Sequence, residues 1–385
     1  MSTHKRNHRE TRHGMTIVEL LVVMGILVVL MGIAATAVKT GTRGKKQREA
    51  ARQVNSYIAS AQARAMQLGR PAGIEIVRNV SDSSGDGIIT FADDTGVSNS
   101  SLLMYTLETP PPYAGDELNS RLDVSNSSGT VTLSDPNARY ASATGLLTAN
   151  QMVEIRLDYR GPRYTATVSQ VSPLQLQFTL PANDQTIFPS HGKVACQIFL
   201  PPQRSSATPL QLPSDMCIDL TCSGVGNTGN QFANWNSGVH NSVRFTFSPK
   251  GNVDKVSTVN GTWGRPGGNI HLLVGKYDHA VDTIAVMQTE NIDETNSMTF
   301  PGLNYLDYIN PADPKLETNL ADGTSMWVSV NHLTGQITTT RNKLITNTFL
   351  TGSVFTSASD KNAALLAETR DFARSGLIIK GQGDE

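Results

Sequence analysis

The sequence predicts an α+β protein. A long N-terminal helix, apolar enough in its first half to be transmembrane, docks on an antiparallel β-sheet domain that carries a β-rich insertion. Three observations predict it. Met15 to Val38 is apolar but for one ionisable side chain, Glu19. The stretch up to Leu68 then carries apolar residues at helical spacing. Beyond Pro71 the pattern changes to a period of two, the mark of strands.

The composition suits such a chain. Of 385 residues, 38% are hydrophobic and only 17% charged, with a formal net charge of -1. A core can be buried, and no basic excess points to nucleic acid. Gly, Ser, Thr and Asn are abundant, as many short strands joined by turns require. Three cysteines, Cys196, Cys217 and Cys222, are too few for a disulfide-dense scaffold.

The apolar run is long enough to matter. From Met15 to Val38 a helix would measure about 36 Å, against ~30 Å of hydrocarbon. Residues 1–14 form a polar leader with Lys5, Arg6, Arg9 and Arg12, and more basic residues follow the run from Lys39 to Arg48. Basic residues on both sides leave orientation undecided. A carboxylate inside a spanning helix costs about 2.5–3.5 kcal/mol at the centre and less near an end. Glu19 therefore calls for a partner. Were the chain cut after Gly14, Met15 would carry a free α-amine and Glu19 would be the fifth residue. Two rivals stand beside that reading: a plain anchor, and a signal peptide cleaved after Ala35-Thr36-Ala37. The apolar run exceeds the ~7–15 residues of a signal h-region.

Residues 39–70 continue the helix. Val54, Ile58, Ala61, Ala65 and Leu68 recur at intervals of three and four and form one apolar stripe. Gly41 and Gly44 each cost roughly 1 kcal/mol relative to Ala and favour a bend. Gly69 and Pro71 end the helix.

Residues 71–350 read as a β-rich globular domain. "AGIEIV" is a strand, and "SVRFTFSPKGNVDKVSTV" is two strands around a Ser-Pro-Lys-Gly-Asn turn. "IHLLVG", "DTIAVMQ" and "SMWVSVNHLTGQITTTR" follow, the last a hairpin turning at Leu333-Thr334-Gly335. Residues from about 80 to 213 form the insertion, with a Pro-rich connector, "ETPPPYAGDELNS", and four added strands. Inserted surface is where recognition tends to sit. Residues 351–385 form a tail with a short helix, capped at Ser359 or Asp360 and stopped at Gly376.

One stretch of the insertion has calcium-loop spacing, "DSSGDGIITFAD". Asp82, Ser84, Asp86, the Ile88 carbonyl, Thr90 and Asp93 fall at alternate liganding positions, with Gly87 at the turn. Ser at the third position, Asp at the twelfth and strand-like flanks depart from the pattern. A polar hairpin tip accounts for the same residues. Calcium is thus the one candidate cofactor. Cys217 and Cys222 enclose four residues and are a candidate disulfide in an oxidising compartment. Cys196 is an equally available partner, and three reduced thiols are the other reading.

No catalytic motif is present: no G-x-S-x-G, Walker loop, H-E-x-x-H or C-x-x-C. The sequence gives no reason to expect an enzyme.

Gly14 followed by "MTIVELLVV" resembles the type IV prepilin processing motif. The resemblance implies cleavage between Gly14 and Met15 by a prepilin peptidase, N-methylation of Met15, and recruitment into a filament through Glu19. Met15 stands where that family usually has Phe. "SAQARAMQLGRPAGIEI", "VRFTFSPKGNV" and "WVSVNHLTGQI" are similar to the helix end, first strand and C-terminal strands of H-type minor pseudopilins of type II secretion systems. The partners implied are the peptidase, other major and minor pilin-like subunits and an inner-membrane secretion or pilus platform. The location implied is a single pass through the inner membrane, the globular domain in the periplasm or outside, and incorporation into a filament. The alternative is a membrane-anchored or secreted extracytoplasmic β-rich binding domain.

Overall fold

The computed structural model describes residues 17–79, 99–127, 129–180, 191–229, 231–233, 242–257, 263–280, 318–344 and 358–379. β-sheet dominates the architecture of the described chain: nineteen strands in three antiparallel sheets.

The first sheet gathers β1 (Ala72–Val77), β3 (Leu103–Glu108), β11 (Gln203–Arg204), β12 (Leu210–Gln211), β14 (Val243–Phe247), β15 (Val253–Ser257) and β16 (Trp263–Gly264). Its order is β11-β3-β1-β14-β15-β16, with β12 also on β3. The second holds β2 (Ser100–Ser101), β13 (Met216–Val225), β17 (Ile270–Lys276), β18 (Met326–Val330) and β19 (Ile337–Arg341), in the order β19-β18-β17-β13-β2. Helix α1 (Ile17–Leu68) touches strands of both sheets. Its buried residues Ala50, Ala51, Val54, Ile58, Ala61 and Ala65 join Ile74, Phe245, Phe247, Leu272 and Val328 in one core. Small residues on the helix let its backbone approach the sheets, and the aromatic and branched residues of the strands fill the remaining space.

The third sheet is built from residues 122–199 alone: β4 (Leu122–Ser127), β5 (Thr130–Ser134), β6 (Met152–Leu157), β7 (Arg163–Val171), β8 (Leu174–Thr179), β9 (His191–Val194) and β10 (Cys196–Phe199). Its order is β10-β6-β7-β8-β5-β4-β9. The two ends of that order are consecutive in the chain, separated only by Ala195. Val194 pairs with Leu122 of β4, and Cys196 pairs with Leu157 of β6. The strand order thus closes into a ring of six stretches around its own core, including Leu133, Ile155, Leu176, Phe178 and Ile198. Alternation of apolar and polar residues, as in Thr130-Val131-Thr132-Leu133, sends one face of each strand into that core. The four-residue helix α2 (Ala143–Leu146) adds Ala143 to the core. Closing the order leaves few exposed strand edges.

Two expectations are corrected here. The protein is mainly β, built on three sheets, rather than an α+β molecule whose helix is transmembrane in its first half. And no described helix is long and apolar enough to cross a membrane, so the single-pass inner-membrane location is withdrawn.

The tail differs from its expectation in detail. It holds two helices, α3 (Ala358–Thr369) and α4 (Asp371–Ile379), broken at Arg370. Gly376 lies inside α4 instead of stopping it. A Cβ there would sit 3.1 Å from Thr340 Cγ2, so the glycine marks where helix meets strand β19.

Candidate assembly site

The two halves of α1 meet different surroundings. From Ile17 to Met31 every large apolar side chain is between 41% and 85% exposed. Apolar residues cover the whole circumference of this half, interrupted by Glu19 in the first turn and Gly25. A Cβ added at Gly25 would meet nothing within 4 Å. Each Val, Leu or Ile kept in water forgoes about 1.5–3 kcal/mol of burial energy. A helix that is apolar all round belongs inside something.

The second half is fastened to the body. Asn55 Nδ2 donates to Thr339 Oγ1 at 2.8 Å, and Arg64 pairs with Glu108 at 3.0 Å. Gln47 Nε2 donates to Asp322 at 3.4 Å, and Lys46 pairs with Asp215 at 3.2 Å. Gln62 makes the most informative contact. Its amide donates to the carbonyl of Gly251 at 2.7 Å and of Gly335 at 3.0 Å. These are the turns of the β14–β15 and β18–β19 hairpins, one from each sheet that α1 touches. Gly335 has φ +71° and packs so tightly that a Cβ would lie 1.9 Å from the Gly251 oxygen.

The residues singled out from sequence are distributed as follows. Glu19 lies in the exposed half. Gly14 and Met15 lie outside the described residues, as do Asp82, Ser84, Asp86, Ile88, Thr90 and Asp93 of the calcium-like loop. Among the described residues no group of three or more His, Cys, Asp and Glu could hold a metal. The expected Cys217–Cys222 disulfide is not formed. Both residues are buried free thiols on β13. Burial raises the thiols of Cys217 and Cys196, the latter to about 12, so both are inert at neutral pH.

Buried charges escaped the sequence reading. The side chain of Glu75 on β1 is fully buried and paired with Arg204 and with Arg244, the latter at 2.7 Å. Burial alone would raise its carboxyl; the two guanidiniums outweigh this and hold it below the usual carboxylate range. Asp219 on β13 is buried beside Asn319, whose Nδ2 donates at 2.9 Å. There burial wins over the hydrogen bonds and the carboxyl is raised. His271 is fully buried, 2.8 Å from Ser329 Oγ. Burial, with Arg370 and Arg374 nearby, lowers its imidazole to about 3, so it is neutral and fixed in the sheet. The alternation itself hid them: each sits between two core residues (Ile74 and Ile76, Ile218 and Leu220, Ile270 and Leu272), where a period of two reads as the outward face. None of these groups lines an open cleft with a nucleophile, and their partners are structural.

No family model, characterised protein or solved structure matches this chain.

Proposed function

We propose that the protein is a non-enzymatic, pilin-like subunit of a filament, most like a minor pseudopilin of a type II secretion or type IV pilus machine. Its exposed apolar half-helix packs among the equivalent helices of neighbouring subunits. One observation carries this reading: the helix from Ile17 to Met31 is apolar on all sides and exposed, while its continuation is locked to the body. The prepilin-like sequence around Gly14 and Met15 supports it by supplying a maturation step.

In the proposed assembly, cleavage after Gly14 exposes the Met15 amine, which is N-methylated. Glu19 of one subunit pairs with the N-terminal amine of another inside the bundle. Burial of Ile17–Met31 supplies cohesion, and the ion pair supplies register. Burying two charges offsets most of their attraction, so the pair contributes specificity more than stability. The ring of strands from residues 122 to 199 stands on the body as the surface particular to this subunit.

Glu19→Ala tests the reading. The variant should accumulate as a folded protein and be lost from sheared or sedimented filaments. Incorporation at the native level would remove Glu19 from assembly.

A further inference from the structure

Three side chains meet on the outer face of the closed third sheet. Arg156 of β6 and Arg163 of β7 are direct partners across the two strands. Phe199 of β10 lies next to them, paired through the backbone with Glu154 of β6. Both guanidiniums stack on the Phe199 ring, Arg163 at 3.9 Å from its centre and Arg156 at 5.4 Å. Ile155, between Glu154 and Arg156, belongs to the core of the ring, so its two charged neighbours face outward. Like charges set opposite each other on neighbouring strands are destabilising. An anion bound at the pair would turn that repulsion into attraction.

The two arginines are not equally provided for. Arg163 Nη1 donates to Glu154 Oε2 at 3.1 Å, and Glu154 also pairs with Lys255 of β15. Arg204 repeats the pattern on the first sheet, where it stacks on Tyr105 and pairs with Glu75. Arg156 shares the Phe199 ring but no carboxylate. Among the described residues it makes no ion pair and no hydrogen bond, and its Nε is shut off from water as well. Its terminal nitrogens still reach solvent, and the side chain is only partly buried. Three cations, Arg156, Arg163 and Lys255, thus share one acid, Glu154.

We propose that Arg156 and Arg163, held on Phe199, form a binding site for a carboxylate, an Asp or Glu side chain presented by another polypeptide. Stacking on the ring fixes the planes of the guanidiniums, so an arriving group meets donors already oriented. A carboxylate accepts two parallel N–H bonds from one guanidinium edge. The patch already holds one carboxylate, that of Glu154, and a second one on Arg156 repeats the arrangement. The Glu154 charge opposes a phosphate dianion more strongly than a carboxylate, because repulsion scales with charge. The site belongs to the strands of residues 122–199 and does not rest on the role of the apolar half-helix.

The test is binding of fluorescein-labelled tetraglutamate to the full chain in nonionic detergent, read by anisotropy at low salt. Arg156→Gln should weaken binding about tenfold or more and leave thermal unfolding unchanged. Arg156→Lys keeps the charge without the flat fork, and its affinity should lie closer to the Gln variant than to the native chain. Arg121→Gln removes the same charge from an exposed position just ahead of β4 and should bind as the native chain does. Unlabelled glutarate should displace the peptide at lower concentration than inorganic phosphate. No binding by the native chain, native affinity in either Arg156 variant, or equal weakening by Arg121→Gln overturns the proposal. Better displacement by phosphate would assign the site to that anion and overturns the carboxylate. Destabilisation of the ring by Arg156→Gln would make the residue a structural support for Phe199, and overturns the proposal as well.

Discussion

One helix runs through two environments. Between Gln47 and Ala65 its inward residues, alanines with Gln47, Val54 and Ile58, are buried to 1% exposure or less. Between Ile17 and Met31 its residues are large, apolar on every side and exposed. The difference teaches what each half is for. The buried half is satisfied by its own chain, since two sheets and two hairpin turns meet it. The exposed half finds no such cover among the described residues. In the proposed assembly its burial comes from the equivalent helices of neighbouring subunits, and a helix apolar all round suits the inside of a bundle better than one flat face.

The sharpest way to break this comparison is to put a charge in each half. Ile58→Asp sets a carboxylate in the closed core and should cost more than ~4 kcal/mol, enough to unfold the body. Leu27→Asp should leave the melting temperature of the body nearly unchanged and abolish assembly. Thermal unfolding of both variants decides; a large loss of stability for Leu27→Asp would mean that the exposed half is covered by its own chain.

Glycines repeat the contrast on a smaller scale. Gly335→Ala pushes a Cβ into the Gly251 carbonyl at a positive φ and displaces the Gln62 amide, for a loss of about 2–3 kcal/mol. Gly25→Ala meets open space and should raise helix stability by about 0.5–1 kcal/mol. Chemical denaturation of the first variant and helical content of the second are the readouts, and equal effects would erase the distinction between the halves. Gln62→Ala should cost about 1–3 kcal/mol, because two turn carbonyls lose their donor.

The smallest effect is on pH dependence of the body. Glu75 has a folded-state carboxyl held below its ordinary value by Arg204 and Arg244. The stability it contributes is present above the unfolded carboxylate pKa of about 4.3 and is lost as pH falls through the lower, folded value. Glu75→Gln should flatten that acid limb of a stability–pH curve. An unchanged slope below pH 4 would show that Glu75 is not the group responsible.

What could be read from sequence was local. The spacing of Val54, Ile58, Ala61 and Ala65 encodes a stripe because a helix repeats every 3.6 residues. The turns at Gly251 and Gly335 announce themselves because few residues adopt a positive φ. Features made by distant pairing left no such mark. Nothing near Val194 or Cys196 says that one pairs with Leu122 and the other with Leu157, closing a ring. Arg370 reads as a surface charge on a helix until the turn at 222–229 is folded beneath it. Gly376 reads as a helix stop because its close contact is with Thr340, far away in sequence. Glu19 was legible as an anomaly, a single acid in an apolar run, and the processing site came only through resemblance. The expectation of a transmembrane first half came from run length alone, which does not fix what surrounds a helix.

The most direct measurement is the N-terminal residue and its methylation state, by mass spectrometry of the mature protein from its native source. The account predicts a chain that begins at N-methylated Met15 and keeps Ile17–Met31 for assembly. A chain that begins at Val38 would have discarded that half of the helix, and an intact leader would leave no free Met15 amine. Either result would contradict the account.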